Sequence, residues 1–146
     1  MASGLISIGY QGRTADAFVQ ALTERGVQTL VDVRLTPLSR KRGFSKRALS
    51  ERLAEAGIDY VHLPALGNPK ENRAAFHDGR IEQGRRRFRE HLAAPDGDEA
   101  LAELANLAGR QPVAVLCFEA DVECCHRHVV VEETRRRAPK LHASYV

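Results

Sequence analysis

Short apolar, β-branched runs recur along the chain, and each is followed by a stretch with helical spacing. Leu5-Ile6-Ser7-Ile8 opens the series and stops at Gly9-Tyr10-Gln11-Gly12-Arg13, which predicts a strand and a tight loop. Thr14 is placed to cap a helix that carries Phe18, Ala21 and Leu22 on one side and ends at Gly26. Residues 29–34 predict a second strand with Asp32 and Arg34 at its carboxyl end, followed by a loop with Pro37, Arg40, Lys41 and Arg42. Ser45 reads as the next N-cap, with Phe44 and Leu49 as a hydrophobic staple. Leu49, Leu53 and Ala56 then share a helical face that Gly57 closes. Residues 58–63 alternate as a third strand and end at Pro64 and Leu66-Gly67-Asn68-Pro69. Residues 70–84 are polar, with Gly and Pro, and predict a long loop or a broken helix; such loops often serve function. Residues 85–92 read as a basic helix. Residues 98–108 read as a helix with Leu101, Leu104 and Leu107/Ala108 inward, stopped by Gly109. Residues 112–116 give a fourth strand, 129–137 a last helix and 140–146 a closing strand.

Strands separated by helices predict an α/β fold. We expect a single three-layer domain over residues 1–146, its mostly parallel sheet having about five strands with helices on both faces. No repeat, linker or low-complexity segment interrupts the chain, and 146 residues suffice for a proper core. No stretch approaches the roughly 18 apolar residues of a membrane span, and no secretory signal is visible at the start. A cytoplasmic location with no membrane partner is therefore expected. Three cysteines, all between positions 117 and 125, argue against a disulfide framework and fit a reducing compartment. Aromatic content of 5%, without Trp, argues against a stacking platform for single-stranded nucleic acid. The net charge of +3 is unevenly spread. Residues 34–52 hold seven basic side chains against one acid, and residues 96–123 hold seven acids against Arg110. Such polarity offers one face to an anionic partner.

Parallel strands joined by right-handed crossovers point one way, and ligands bind beyond their carboxyl ends. That edge is expected to gather Tyr10 and Arg13 from the first strand, and Asp32, Arg34, Ser39 and Arg40 from the second. His62 and Leu66-Gly67-Asn68 come from the third, and Glu119, Asp121, Cys125, His126 and Arg127 from the fourth. The densest chemistry is at residues 117–128, with three cysteines, two histidines, three carboxylates and one arginine. Glu119 follows a buried strand with no capping role and is the first candidate acid or base. Asp32 needs a partner inside a buried strand, and Arg34 two residues on points the same way. Asp121 is placed to cap the last helix. Cys125 would lie in that helix's first turn, where amide donors, His126 and Arg127 favour a thiolate; inert buried cysteine is the commoner case, and Cys117 reads as core. Cys117, Cys124, Cys125, His126 and His128 make one local cluster with no second pair at finger spacing, so no structural metal is expected. Five residues after Cys117 lead to Glu123 rather than to a phosphatase arginine. There is no Walker loop, and Gly9-Tyr10-Gln11-Gly12 lacks the third glycine of a dinucleotide fingerprint, so no cofactor is expected.

These blocks resemble a known family nearly end to end. Ser7-Ile8-Gly9-Tyr10, Leu30-Val31-Asp32-Val33-Arg34 with Pro37 and Ser39-Arg40, and Gly43-Phe44-Ser45 belong to the resemblance. So do Tyr60-Val61-His62-Leu63-Pro64 with Leu66-Gly67, and Cys117-Phe118-Glu119 through Cys125-His126-Arg127. Together they are similar to the prokaryotic domain of unknown function 488 family, which implies a single α/β domain and a site at these blocks. The resemblance supplies no reaction, though some members look associated with DNA repair. The chain departs from it at Gly9-Tyr10-Gln11, where Gly-His-Ser is expected, so no role for a histidine carries over there.

Three functions follow as expectations. The first is an enzyme on a phosphate-bearing substrate, a nucleotide or nucleic acid. Arg34, Arg40 and Arg127 would hold the anion, with Tyr10, Ser39 and His62 completing the binding set. Glu119 would act as general acid or base beside Asp32, with His126 or His62 as a second proton-transfer group. Arg40-Lys41-Arg42 and Arg85-Arg86-Arg87 would grip a polymeric backbone. The second is a cysteine-dependent sulfur-transfer or redox enzyme using Cys125. The third is a non-catalytic module binding a ligand or nucleic acid.

Overall fold

The predicted apolar runs form the strands β1 (Gly4–Gly9), β2 (Thr29–Asp32), β3 (Asp59–His62), β4 (Pro112–Cys117) and β5 (Ala143–Tyr145). Between them lie the helices α1 (Ala15–Glu24), α2 (Lys46–Glu55), α3 (Lys70–His77), α4 (Ile81–Leu92), α5 (Pro95–Arg110) and α6 (Arg127–Arg137). The computed structural model describes residues 4–117 and 126–146. All five strands belong to one sheet in the order β3-β2-β4-β1-β5, and every neighbouring pair is parallel. This is the expected α/β fold.

The period of two sorts the strand side chains between two cores. Val31, Val33, Val113 and Val115 pack with Phe88 and Leu92 of α4, Leu101 and Leu104 of α5, and Val129 and Val130 of α6. Ile8, Leu30, Ala114 and Leu116 pack with Phe18 and Leu22 of α1 and with Leu49 and Leu53 of α2. Connections from β1 and β2 therefore cross one face, and those leading to and from β4 cross the other. In open sheets wound this way the ligand crevice lies at the carboxyl ends. Asp32 sits on the face that carries Leu30, so its carboxylate enters the core between the sheet and α2.

Local signals are answered in detail. Thr14 caps α1, its Oγ1 accepting the Ala17 amide at 3.1 Å. Ser45 does precede α2, but its hydroxyl takes no amide of the helix. It accepts the Ser39 amide at 3.0 Å and donates to the Ser39 carbonyl at 3.1 Å, tying the preceding loop to the helix start. Ala56 is exposed rather than inward, because α2 has already ended there. Gly109 does not stop α5, which runs on to Arg110. Residues 70–84, expected as a loop or broken helix, form α3, a three-residue connection and the start of α4. The glycine that reads there as a breaker serves packing: a Cβ on Gly84 would stand 3.0 Å from the Phe76 ring, tighter than ordinary contact, so the glycine lets the two helices approach closely. Among the described residues no helix is long and apolar enough to cross a membrane.

Candidate functional site

Asp32 is wholly buried, and a buried carboxylate persists only with full pairing. Arg34 supplies most of it. Its Nε lies 2.9 Å from Oδ1 and 3.1 Å from Oδ2, and Nη2 lies 2.7 Å from Oδ2. The Arg34 amide donates to Oδ1 at 3.0 Å, and the Tyr60 hydroxyl, from β3, donates to Oδ2 at 2.5 Å. The remaining face of the guanidinium is engaged too: Nη1 donates to the Phe44 carbonyl at 2.6 Å and to the Tyr10 hydroxyl at 3.4 Å. Tyr10 itself stacks on Phe44 with centroids 4.4 Å apart. Burial works against the Arg34 charge, but the hydrogen bonds and charge of Asp32 outweigh it and raise its pKa. Burial also raises the Tyr60 hydroxyl, as does the carboxylate beside it. One buried ion pair thus fastens the end of β2 to β3, to β1 through Tyr10, and to the loop before α2.

Two imidazoles close on the backbone just past this pair. His62 lies opposite Asp32 in the β2–β3 register, and its Nε2–H donates to the Arg34 carbonyl at 2.8 Å. His126, immediately before α6, donates its Nε2–H to the Val33 carbonyl at 2.8 Å. A carbonyl accepts only, so both rings carry a proton on Nε2, and in the neutral form Nδ1 is the acceptor. The His126 ring meets Phe88 edge-on at 5.2 Å. Burial pushes its pKa down to about 4; the charges of Arg127 and Arg73 add to this, and the bond to Val33 opposes it. His126 is therefore neutral at ordinary pH.

The other expected residues separate into buried and open groups. Tyr10 and Arg127 are buried, Arg127 with its Nε 2.6 Å from the Ser7 hydroxyl. Ser39 is half-buried and its hydroxyl accepts the Lys41 amide at 3.0 Å. Arg40 is exposed on the loop after β2. Glu119, Asp121, Cys124 and Cys125 lie outside the described residues, as does the side chain of Cys117. Asp32, Arg34, Tyr10, His62 and His126 do meet around one strand end. Among the described residues no three His, Cys, Asp or Glu side chains gather as a metal ion would need.

Two participants, Tyr60 and Arg73, were not among the residues expected at this edge, and Gly67 was expected there only as part of a turn. Tyr60 looks like an ordinary strand residue, yet the alternation that faces Leu30 also aims its hydroxyl at Asp32. Arg73, hidden in the stretch expected as loop, lies close enough for His126 to feel its charge. Gly67 admits the neighbouring loop: a Cβ there would fall 2.5 Å from the Cα of Leu35. Gly67→Ala is expected to lower stability by about 1–3 kcal/mol through backbone displacement, readable as a lower melting temperature.

The family described as domain of unknown function DUF488 matches residues 14–134. The chain belongs to the DUF488 family. No curated protein matches it. The matched span of this DUF488 domain takes in Asp32, Arg34, Tyr60, His62, His126 and Arg127, and leaves β1 outside.

Proposed function

We propose that this chain binds a phosphate-bearing substrate, a nucleotide or a nucleic acid, at the carboxyl edge of its sheet and carries out acid–base chemistry there. The observation that supports it most is the pair of imidazoles from β3 and the start of α6 on adjoining carbonyls, with Arg127 and Arg73 close enough for His126 to feel their charge. Arg40 and Arg42 are exposed and make no hydrogen bond or ion pair among the described residues, and Arg73 adds its charge near His126. First contact with phosphate falls to these open arginines. Arg127, buried, stands behind them, whereas Arg34 is neutralised by Asp32 and serves to hold the loop before α2 in place through the Phe44 carbonyl. A neutral His126 serves as proton acceptor, and Glu119, by its place directly after β4, as general acid or base. A link to DNA repair rests on the family resemblance.

A second reading, a binding module without turnover, is favoured by the mutual saturation of Asp32 and Arg34, which makes them a rigid floor rather than reactive groups. The full chain is expected to bind an oligonucleotide with an affinity that falls steeply with salt, log K dropping by about 0.9 per log unit of salt for each phosphate contacted. Affinity that is flat in salt removes the nucleic-acid form. Phosphoester turnover lost in Glu119→Gln but kept in Cys125→Ser supports the enzyme over the module and over cysteine chemistry; the reverse loss overturns that assignment.

A further inference from the structure

Leu38 is 74% exposed, and Leu35, three residues earlier, is 37% exposed. They are two of the three exposed large apolar side chains among the described residues. An isolated exposed leucine needs no explanation, but this one stands at the tip of a loop held in unusual detail. The Leu38 amide donates to the Thr36 carbonyl at 2.8 Å, and the Lys46 amide to the Pro37 carbonyl at 2.9 Å. Ser45 takes both the amide and the carbonyl of Ser39, and Ser39 takes the Lys41 amide. Lys41 Nζ donates to the Tyr10 carbonyl at 3.2 Å, and the buried Arg34 guanidinium holds the Phe44 carbonyl. Beside Leu38, Arg40 and Arg42 are exposed, and residues 34–42 carry four basic side chains and no acid.

We infer that residues 35–42 form a preorganised nucleic-acid recognition loop, in which Arg40 and Arg42 contact phosphates and Leu38 wedges against a base step beside the carboxyl-edge site. The inference rests on the nucleic-acid form of the function proposed above and gives that site its means of gripping a polymer. Apolar wedges flanked by cations partly unstack base steps, and a loop fixed beforehand loses little entropy on binding. A lipid surface fits less well. A whole myristoyl chain gives only marginal membrane attachment, and one leucine side chain offers far fewer carbons.

The test uses the full chain with a duplex oligonucleotide carrying an adenine analogue that fluoresces when unstacked. Wild type is expected to raise the fluorescence on binding. Leu38→Ser should weaken binding about tenfold, the scale of one buried leucine, with an unchanged salt slope and most of the fluorescence rise lost. The double variant Arg40→Ala/Arg42→Ala should flatten the salt slope by about 2. All three residues are exposed, so folding is not at stake. Wild-type affinity and fluorescence in Leu38→Ser overturn the wedge. Wild type that binds a mononucleotide but no oligonucleotide overturns the loop and leaves the site standing. Wild type that binds neither removes both. Capture by phosphatidylserine vesicles, lost in Leu38→Ser and without oligonucleotide binding, overturns the inference in favour of a lipid surface.

Discussion

Asp32→Ala is expected to destabilise the protein by about 3–5 kcal/mol, enough to unfold a marginal domain. The reason is less the lost attraction than what remains. Arg34 is 7% exposed, and without the carboxylate its Nε and Nη2 lose their acceptor in a buried position. Tyr60 would lose its acceptor at the same stroke. Arg34→Met alone leaves the mirror-image problem, a buried carboxylate held by the Tyr60 hydroxyl and one amide. Replacing both, as Asp32→Leu/Arg34→Met, removes both orphaned charges, and such exchanges are often neutral or stabilising. The double variant is therefore expected to recover most of the loss in urea denaturation. If the singles cost less than about 1 kcal/mol, the pair does not hold the strand end as described. A folded double variant also separates scaffold from chemistry. With the Phe44 carbonyl released, the loop carrying Leu38 and Arg40 should lose its order, and phosphate or nucleotide binding should weaken while the fold persists.

Much of this was legible from spacing alone. The apolar bursts named the five strands, and the spacing of two predicted the pairing of Asp32 with Arg34, although the strand expected over residues 29–34 ends at Asp32 and Arg34 lies just past it. Convergence of distant residues followed from parallel topology, and His62, Tyr10 and His126 do reach the end of β2. What stayed hidden depends on partners no local pattern encodes. The Tyr60 hydroxyl meets Asp32 only because β3 pairs with β2 in this register. Ser45 marks a helix start, but only the fold of residues 36–44 decides that its hydroxyl turns back to Ser39. The stretch 70–84 shows no long apolar stripe because its helices are held by few buried side chains, Ala75 and Phe76 against Gly84, and by Asn72 reaching the Gly84 carbonyl at 2.8 Å. Glycine reads as a breaker in sequence and acts here as a close-packing surface. The histidines were named for their chemistry, whereas their tautomer comes from the Arg34 and Val33 carbonyls just past β2, and the neutrality of His126 from its burial.

That neutrality has a measurable consequence in pH. His126 has a folded pKa of about 4 against an ordinary 6.5. Between those values the unfolded chain binds the proton that the folded chain refuses, so stability falls as pH falls. The stabilisation is complete above the unfolded value and is lost as pH drops through the folded one. A gap of this size amounts to about 3 kcal/mol at most. Carboxylates titrate in the same range, so the contribution is isolated by difference. His126→Gln keeps an amide donor for the Val33 carbonyl but has no ring to protonate, and its urea stability should decline less between neutral pH and about pH 4 than that of wild type. Equal slopes in the two proteins would mean that His126 is not shielded. The same number bears on chemistry: if His126 accepts a proton from substrate, the acidic limb of the pH–rate profile belongs near its folded pKa rather than near 6.5. A ring proton resonance of His126 that stays flat from neutral pH down to about 5 and moves only below would place both effects on one group, since a ring that titrated near its ordinary value would add nothing to the acid sensitivity of the fold and would be largely protonated by about pH 5.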